Sequence, residues 1–221
     1  MQPYLKHIHR HEPPPAYLNE RSWEYAFVLQ NLIEDQCKTV LDVGVGAGAF
    51  SAVLRHAGYD VTALDSKGDY WQRFENRHVH VVADDIRSPT IAGPFDAVVA
   101  VSTLEHIEDA DAALAGMVSL LATGGTLLLT FPYSREEYSP NVYARFDSDA
   151  LSKKFRYIAQ SFCDEDLARW SDRHHLVETR REYLQGWSGK FWRTGDRIRW
   201  PRRLGDANGA NAACVAFRKT H

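Results

Sequence analysis

The chain has 221 residues, a formal net charge of −3, 44% apolar and 25% charged residues. That composition fits an ordinary water-soluble globule and gives no reason to expect a polyanionic partner or a disordered chain. The three cysteines, Cys37, Cys163 and Cys214, are odd in number and widely spaced, which argues against a disulfide framework or a thiolate zinc site. A reducing, cytoplasmic setting is the expectation, because no apolar run reaches the length of a membrane span and the start "KHIHRHEPPP" lacks a signal-peptide core.

Residues 1–18 read as a flexible tail, since Pro13, Pro14 and Pro15 block regular structure. His7, His9 and His11 alternate there as a conceivable chelator, but a tail supplies no rigid geometry, and a solvated segment is the better expectation. The remainder, 19–221, reads as one domain: a covering helix in 19–36, a core in 38–131 and a later segment in 132–221. In the first of these, Tyr25, Val28, Leu29, Leu32 and Ile33 recur at the spacing of one helix face.

Beyond residue 38 the period changes. "TVLDV", "DVTAL", "VHVVA", "FDAVVAV" and "GGTLLLTF" are short, nearly continuous apolar or β-branched runs separated by helix-length segments. Such alternation predicts an α/β fold with a doubly wound, mostly parallel sheet and helices on both faces. A helix is expected over Ala110 to Leu121, with Leu114, Met117, Val118 and Leu121 as its apolar stripe. Past Pro132 the pattern breaks until strand candidates at "HLVETRREYL" and "AACVAFR", joined by a Gly, Arg and Trp-rich connection too long for a turn.

The chemistry concentrates at strand ends. Gly44, Gly46 and Gly48 follow the first strand, where glycines let a ligand approach the backbone and helix-start amides favour an anionic group. Gly44, Gly46 and Ala49 also satisfy a relaxed dinucleotide fingerprint, so an NAD(P)-dependent reductase competes. None of the ten tyrosines has a lysine four residues later, which removes the YxxxK dyad that reading would want. Asp42 precedes the loop, Asp65 ends the second strand where a carboxylate can accept from both ribose hydroxyls, and Asp84 and Asp85 follow the third. Each acid alone could be a turn former, but acids at successive strand ends line the edge where such sheets bind ligands.

Those acids, the glycine loop and the step "VSTLEHI" after the fourth strand together resemble the class I S-adenosylmethionine-dependent methyltransferases over residues 38–131. The resemblance implies a Rossmann-like domain with a seven-stranded sheet whose last strand is antiparallel. It implies that Asp42 supports the methionine end of S-adenosyl-L-methionine, that the Gly44 to Gly48 loop passes beneath it, and that Asp65, with Ser66, holds the ribose. Asp84 or Asp85 with the backbone of Ile86 would meet the adenine, Ser102 would line the methionine side, and Arg21 would pair with the cofactor carboxylate. Val45 departs from the small polar residue many members carry, at a position that contributes mainly backbone.

On the acceptor side, His106 is the candidate general base, with an unperturbed pKa near neutrality, and Tyr133 in "TFPYS" is a second candidate. The alternative reading of Glu105 and His106 is that they fix the following helix start. "TFPYS" is not the "NPPY" signature of amino-methyltransferases acting on DNA, and no carboxylate set suggests a magnesium site. The chain also resembles small bacterial methyltransferases of glycans or secondary metabolites, so a small-molecule or glycan hydroxyl is the expected acceptor. The stretch "WSGKFWRTGDRIRWPRR" interleaves cations and aromatics as RNA- or nucleotide-binding surfaces do, but packing is the commoner use of such tryptophans, so nucleic acid is not the expected partner. A catalytically silent binding protein with this fold is the remaining alternative.

Overall fold

The computed structural model describes residues 19–66 and 76–221. The proline-rich tail and its histidines lie outside them. Within the described residues, helix α1 (Arg21–Glu34) precedes β1 (Thr39–Val43), α2 (Phe50–His56), β2 (Asp60–Asp65), β3 (Val81–Ala83) and β4 (Phe95–Val101). Then come α3 (Ala110–Ser119), β5 (Leu121–Pro132), α4 (Asp164–His174), β6 (Leu176–Trp187), β7 (Arg197–Leu204) and β8 (Ala212–Lys219).

The strands form one sheet in the order β3-β2-β1-β4-β5-β8-β6-β7. β1 to β5 run parallel, whereas β8 pairs antiparallel with β5 and β6, and β6 antiparallel with β7. The parallel strands are apolar along nearly their whole length because both faces are covered. On one face α1 and α2 bury Phe27, Val28, Leu32, Phe50 and Leu54 against Val40, Ala97, Val99 and Leu128. On the other, α3 and α4 bury Leu114, Met117, Leu167 and Trp170 against Leu41, Val98, Leu127 and Leu129. The chain reverses its winding between β1 and β4, and the carboxyl edge at that switch point is where doubly wound sheets take ligands.

Three details differ from the sequence reading. The buried stripe of α1 is Glu24, Phe27, Val28, Asn31 and Leu32, and Ile33 is 65% exposed. Two polar residues occupy the inward face, so the apolar pattern alone rotates the helix. Leu121 opens β5 rather than closing α3, after the helix ends at Ser119. The expected seven strands are eight, because the basic connection contains β7, which pairs only with β6 and carries exposed Arg199, Trp200, Arg202 and Arg203 around Pro201.

Past β5, the segments 142–159 and 188–197 fold together over the sheet edge. Val142, Tyr143, Ala159 and Phe191 make a small separate core, and Arg193 pairs with Asp149 at 2.8 Å. Among the described residues, no helix is long and apolar enough to cross a membrane.

Candidate active site

A cleft of about 790 Å³ opens along the carboxyl edge of β1, β2 and β4, with α1 on one side and the 142–159 segment on another. It begins at Asp42, which is 4% exposed and accepts a hydrogen bond from the Ser51 hydroxyl of α2 at 2.6 Å. Burial, partly offset by that hydrogen bond, pushes the Asp42 carboxyl up to about 7. The chain then turns through Gly44 at φ +75°, where an added Cβ would lie 2.1 Å from the Thr103 methyl, so backbone shape and space both demand glycine. At Gly46, φ +50°, an added Cβ would meet nothing within 4 Å, and the loop faces open space.

The loop is fixed from two sides. Asp65, at the end of β2, accepts from the Gly46 amide at 2.6 Å, and burial raises its carboxyl above the usual range against the pull of that bond. The Asn76 side-chain amide donates to the carbonyls of Gly46 and Gly48 at 3.0 and 2.9 Å. Nothing in the sequence pattern marks Asn76, which lies 30 residues from Gly46. Ser66 follows Asp65 on the cleft wall.

Asp84 and Asp85 both line the cleft, and their environments separate them. Asp84 accepts from the amides of Asp85, Thr90 and Ile91 and from the Thr90 hydroxyl, which spends its oxygens on shaping the loop. Asp85 is bridged by Arg87 at 2.7 Å, and Ile86 between them is buried. Hydrogen bonds hold both carboxyls below their ordinary range, from the Thr90 amide foremost for Asp84 and from the Arg87 guanidinium for Asp85.

Across the cleft, Ser102 adopts φ +46° and donates to Glu24 of α1 at 2.7 Å. Glu24 is 2% exposed, also accepts from Thr130 at 2.8 Å, and pairs with Arg21 at 3.1 Å. Arg21 donates further to the carbonyl of Val101 at 3.3 Å. This network, centred on a carboxylate whose role the sequence did not disclose, ties the covering helix to the ends of β4 and β5.

Beyond it lie Glu105 and His106, on a short 3-10 turn after β4. Neither caps α3, whose cap is Asp109, accepting from the Ala112 amide at 2.9 Å. His106 Nδ1 lies 2.7 Å from the carbonyl of Ile158, and its ring meets Tyr157 edge-on at 4.9 Å between centroids. Burial, with Arg21 nearby, depresses its pKa to about 4, well under the near-neutral value expected from sequence. Glu105 is 3% exposed, and burial pushes its carboxyl up to about 8. Tyr143, Tyr157 and Phe131 give this end an aromatic wall, and Trp192 and Arg193 also border the cleft.

Tyr133 does not join them. It is fully buried, its hydroxyl donates to Asp164 at 2.7 Å, and its ring packs beside Tyr183 in the core. Its place one residue beyond β5 suggested the cleft, but the side chain turns into the α4 face. The basic stretch is likewise spent largely within the chain: Lys190 pairs with Glu137, Arg193 with Asp149, Arg197 with Glu20 and Arg203 with Glu182.

Residues 5–181 match the family model described as "Methyltransferase domain". The ubiquinone biosynthesis O-methyltransferase of Xanthomonas campestris pv. campestris is 35% identical over 173 residues, covering 72% of this chain and 70% of that protein. The enzyme of the same name from Psychrobacter arcticus is 32% identical over 106 residues, a match spanning 42% of this chain and 40% of the relative's length. Among solved structures, the Burkholderia thailandensis 1,6-didemethyltoxoflavin-N1-methyltransferase, with its substrate and S-adenosylhomocysteine bound, superposes with a TM-score of 0.59 at 18% identity, covering 100% of this chain and 85% of that one.

Proposed function

The chain belongs to the S-adenosylmethionine-dependent methyltransferases of class I, and from that premise we propose that it methylates a hydroxyl of a small-molecule or glycan acceptor. The observation that carries the proposal is one continuous cleft with a glycine loop and strand-end acids at one end and His106 among aromatic rings at the other. The residues fit such a cofactor: Gly44 and Gly46 leave the loop without side chains, and Asp65 is already aimed there by the Gly46 amide.

In this reading Asp42 and Arg21 serve the methionine end, with Ser102 as the adjoining wall. Asp65 and Ser66 hold the ribose, and Asp85 with the backbone of Ile86 meets the adenine, while Asp84 keeps that loop in shape. When bound, the cofactor supplies an electrophilic methyl group on a sulfonium. The protein's main contribution is alignment, because an in-line displacement gains most from holding the reacting atoms in register. His106, with Nδ1 donating to the Ile158 carbonyl and its ring edge-on to Tyr157, is fixed on the wall where the acceptor would lie. The aromatic wall selects a flat or ring-bearing acceptor, a trait shared by a sugar face and a small aromatic molecule.

Calorimetry with S-adenosylhomocysteine and with NADPH tests the cofactor assignment, with micromolar binding expected for the first and none for the second. Tighter binding of NADPH would overturn it. Incubation with methyl-labelled S-adenosylmethionine and a metabolite extract tests turnover, and label appearing only in amines would overturn the hydroxyl.

A further inference from the structure

Four buried side-chain polar atoms lack a hydrogen-bond partner among the described residues: Glu105 Oε2, Ser161 Oγ, His174 Nε2 and Trp187 Nε1. Of these residues only Glu105 lies on the cleft wall. Buried polar atoms are nearly always satisfied, and one left open on a ligand cleft points to a hydrogen that the ligand brings. The charged and titratable groups around Glu105 are Arg21 and Glu24 from α1, His106 on its own turn and Tyr143 from the 142–159 segment. Its Oε1 is 3.8 Å from His106 Nε2, beyond hydrogen-bond length, and Oε2 is the oxygen left without a partner.

We propose that Glu105 Oε2 receives the hydrogen of the acceptor's hydroxyl, and that Glu105 rather than His106 holds the proton the acceptor gives up. The inference rests on the methyltransferase reading. The acceptor's O–H bond breaks and its electron pair stays on the oxygen as that oxygen bonds to the methyl carbon, the C–S pair remaining with sulfur. The proton forms an O–H bond on Glu105 Oε2 and leaves to water after product release. Proton acceptors work best with a pKa near the working pH, and the two candidates fall on opposite sides of that condition. A carboxyl at about 8 is ionised from mildly alkaline pH upward and in that form takes up a proton readily, whereas an imidazole at about 4 holds one poorly. His106, held by the Ile158 carbonyl and edge-on to Tyr157, then bounds the acceptor's space without taking its hydrogen.

The test uses full-length protein labelled with carboxyl-13C glutamate, loaded with S-adenosylhomocysteine, and phenol as the acceptor probe. Comparison with Glu105→Gln assigns the Glu105 resonance. It should titrate near pH 8 and shift when phenol is added, in the wild type and in His106→Gln alike. At a pH about one unit above the Glu105 titration, Glu105→Gln should bind phenol about tenfold more weakly, the loss expected when a charge-assisted hydrogen bond becomes a neutral one, and bind S-adenosylhomocysteine within about twofold of wild type. Should that variant not fold, Glu105→Asp serves in its place, retaining a titrating carboxyl and losing phenol affinity. A Glu105 resonance indifferent to phenol, or a variant with wild-type phenol affinity, overturns the inference while leaving the cofactor reading intact. Failure of the wild type to bind S-adenosylhomocysteine removes that reading and the inference with it.

Discussion

Asp65 has two tasks in this molecule, anchoring the Gly46 amide at 2.6 Å and presenting a carboxylate to the cleft. Asp65→Ala is therefore expected to weaken S-adenosylhomocysteine binding by roughly ten- to a hundredfold, the equivalent of about 1.5 to 3 kcal/mol for hydrogen bonds to a charged group, as read by calorimetry. Asp42 makes a different prediction. Burial favours its protonated form and lifts its carboxyl to about 7. A folded pKa above the unfolded one means that the stabilisation is full below the ordinary carboxyl range and is lost as pH rises through 7. Urea midpoints of the cofactor-free protein should fall between mildly acid and mildly alkaline pH, and Asp42→Asn should flatten that slope. An equally steep slope in the variant would assign the effect to another group. Both acids were legible from sequence because strand-end position alone selects them. Glu105 was legible only as part of a motif, since its burial and its open oxygen depend on packing by α1 and by Tyr143, distant in sequence.

At the scale of elements, the strands were readable and their surroundings less so. β1, β2, β4 and the later half of β5 are buried on both faces, which leaves an apolar run that no helix period imitates. Helix α1 misled because Glu24 and Asn31 stand on its inward face, satisfied there by Ser102 and Thr130 in one case and by the Phe27 carbonyl in the other. β7 reads as a basic loop because it is rich in arginine, of which Arg197 pairs with Glu20 just before α1 and Arg203 with Glu182 of β6. Tyr133 was misplaced since sequence gives a residue's position along a strand end but not which way the chain turns next. Glu24 offers the test at this scale. Glu24→Ala would leave Arg21 without its closest carboxylate and the Ser102 and Thr130 hydroxyls without their acceptor, so a loss of about 2 to 4 kcal/mol in chemical denaturation is expected. Glu24→Gln should lose less, because an amide oxygen still accepts from both hydroxyls.

Across the whole molecule, the eight-stranded sheet carries the cleft at its switch point and ends on one side in the three-residue β3 and on the other in β7. An open sheet leaves a row of backbone groups at each end, and another chain can pair with them. Here one end is too short to template much pairing. The other is armed with exposed Arg199 and Arg202 beside Pro201, which has no N–H to offer. The basic stretch that invited comparison with nucleic-acid binders thereby acquires a different meaning, as a guard against edge-to-edge aggregation. Replacing Arg199 and Arg202 by valine should leave the fold intact and cause concentration-dependent association visible in light scattering. Variants that stayed as dispersed as the wild type would show that β7 needs no such guard.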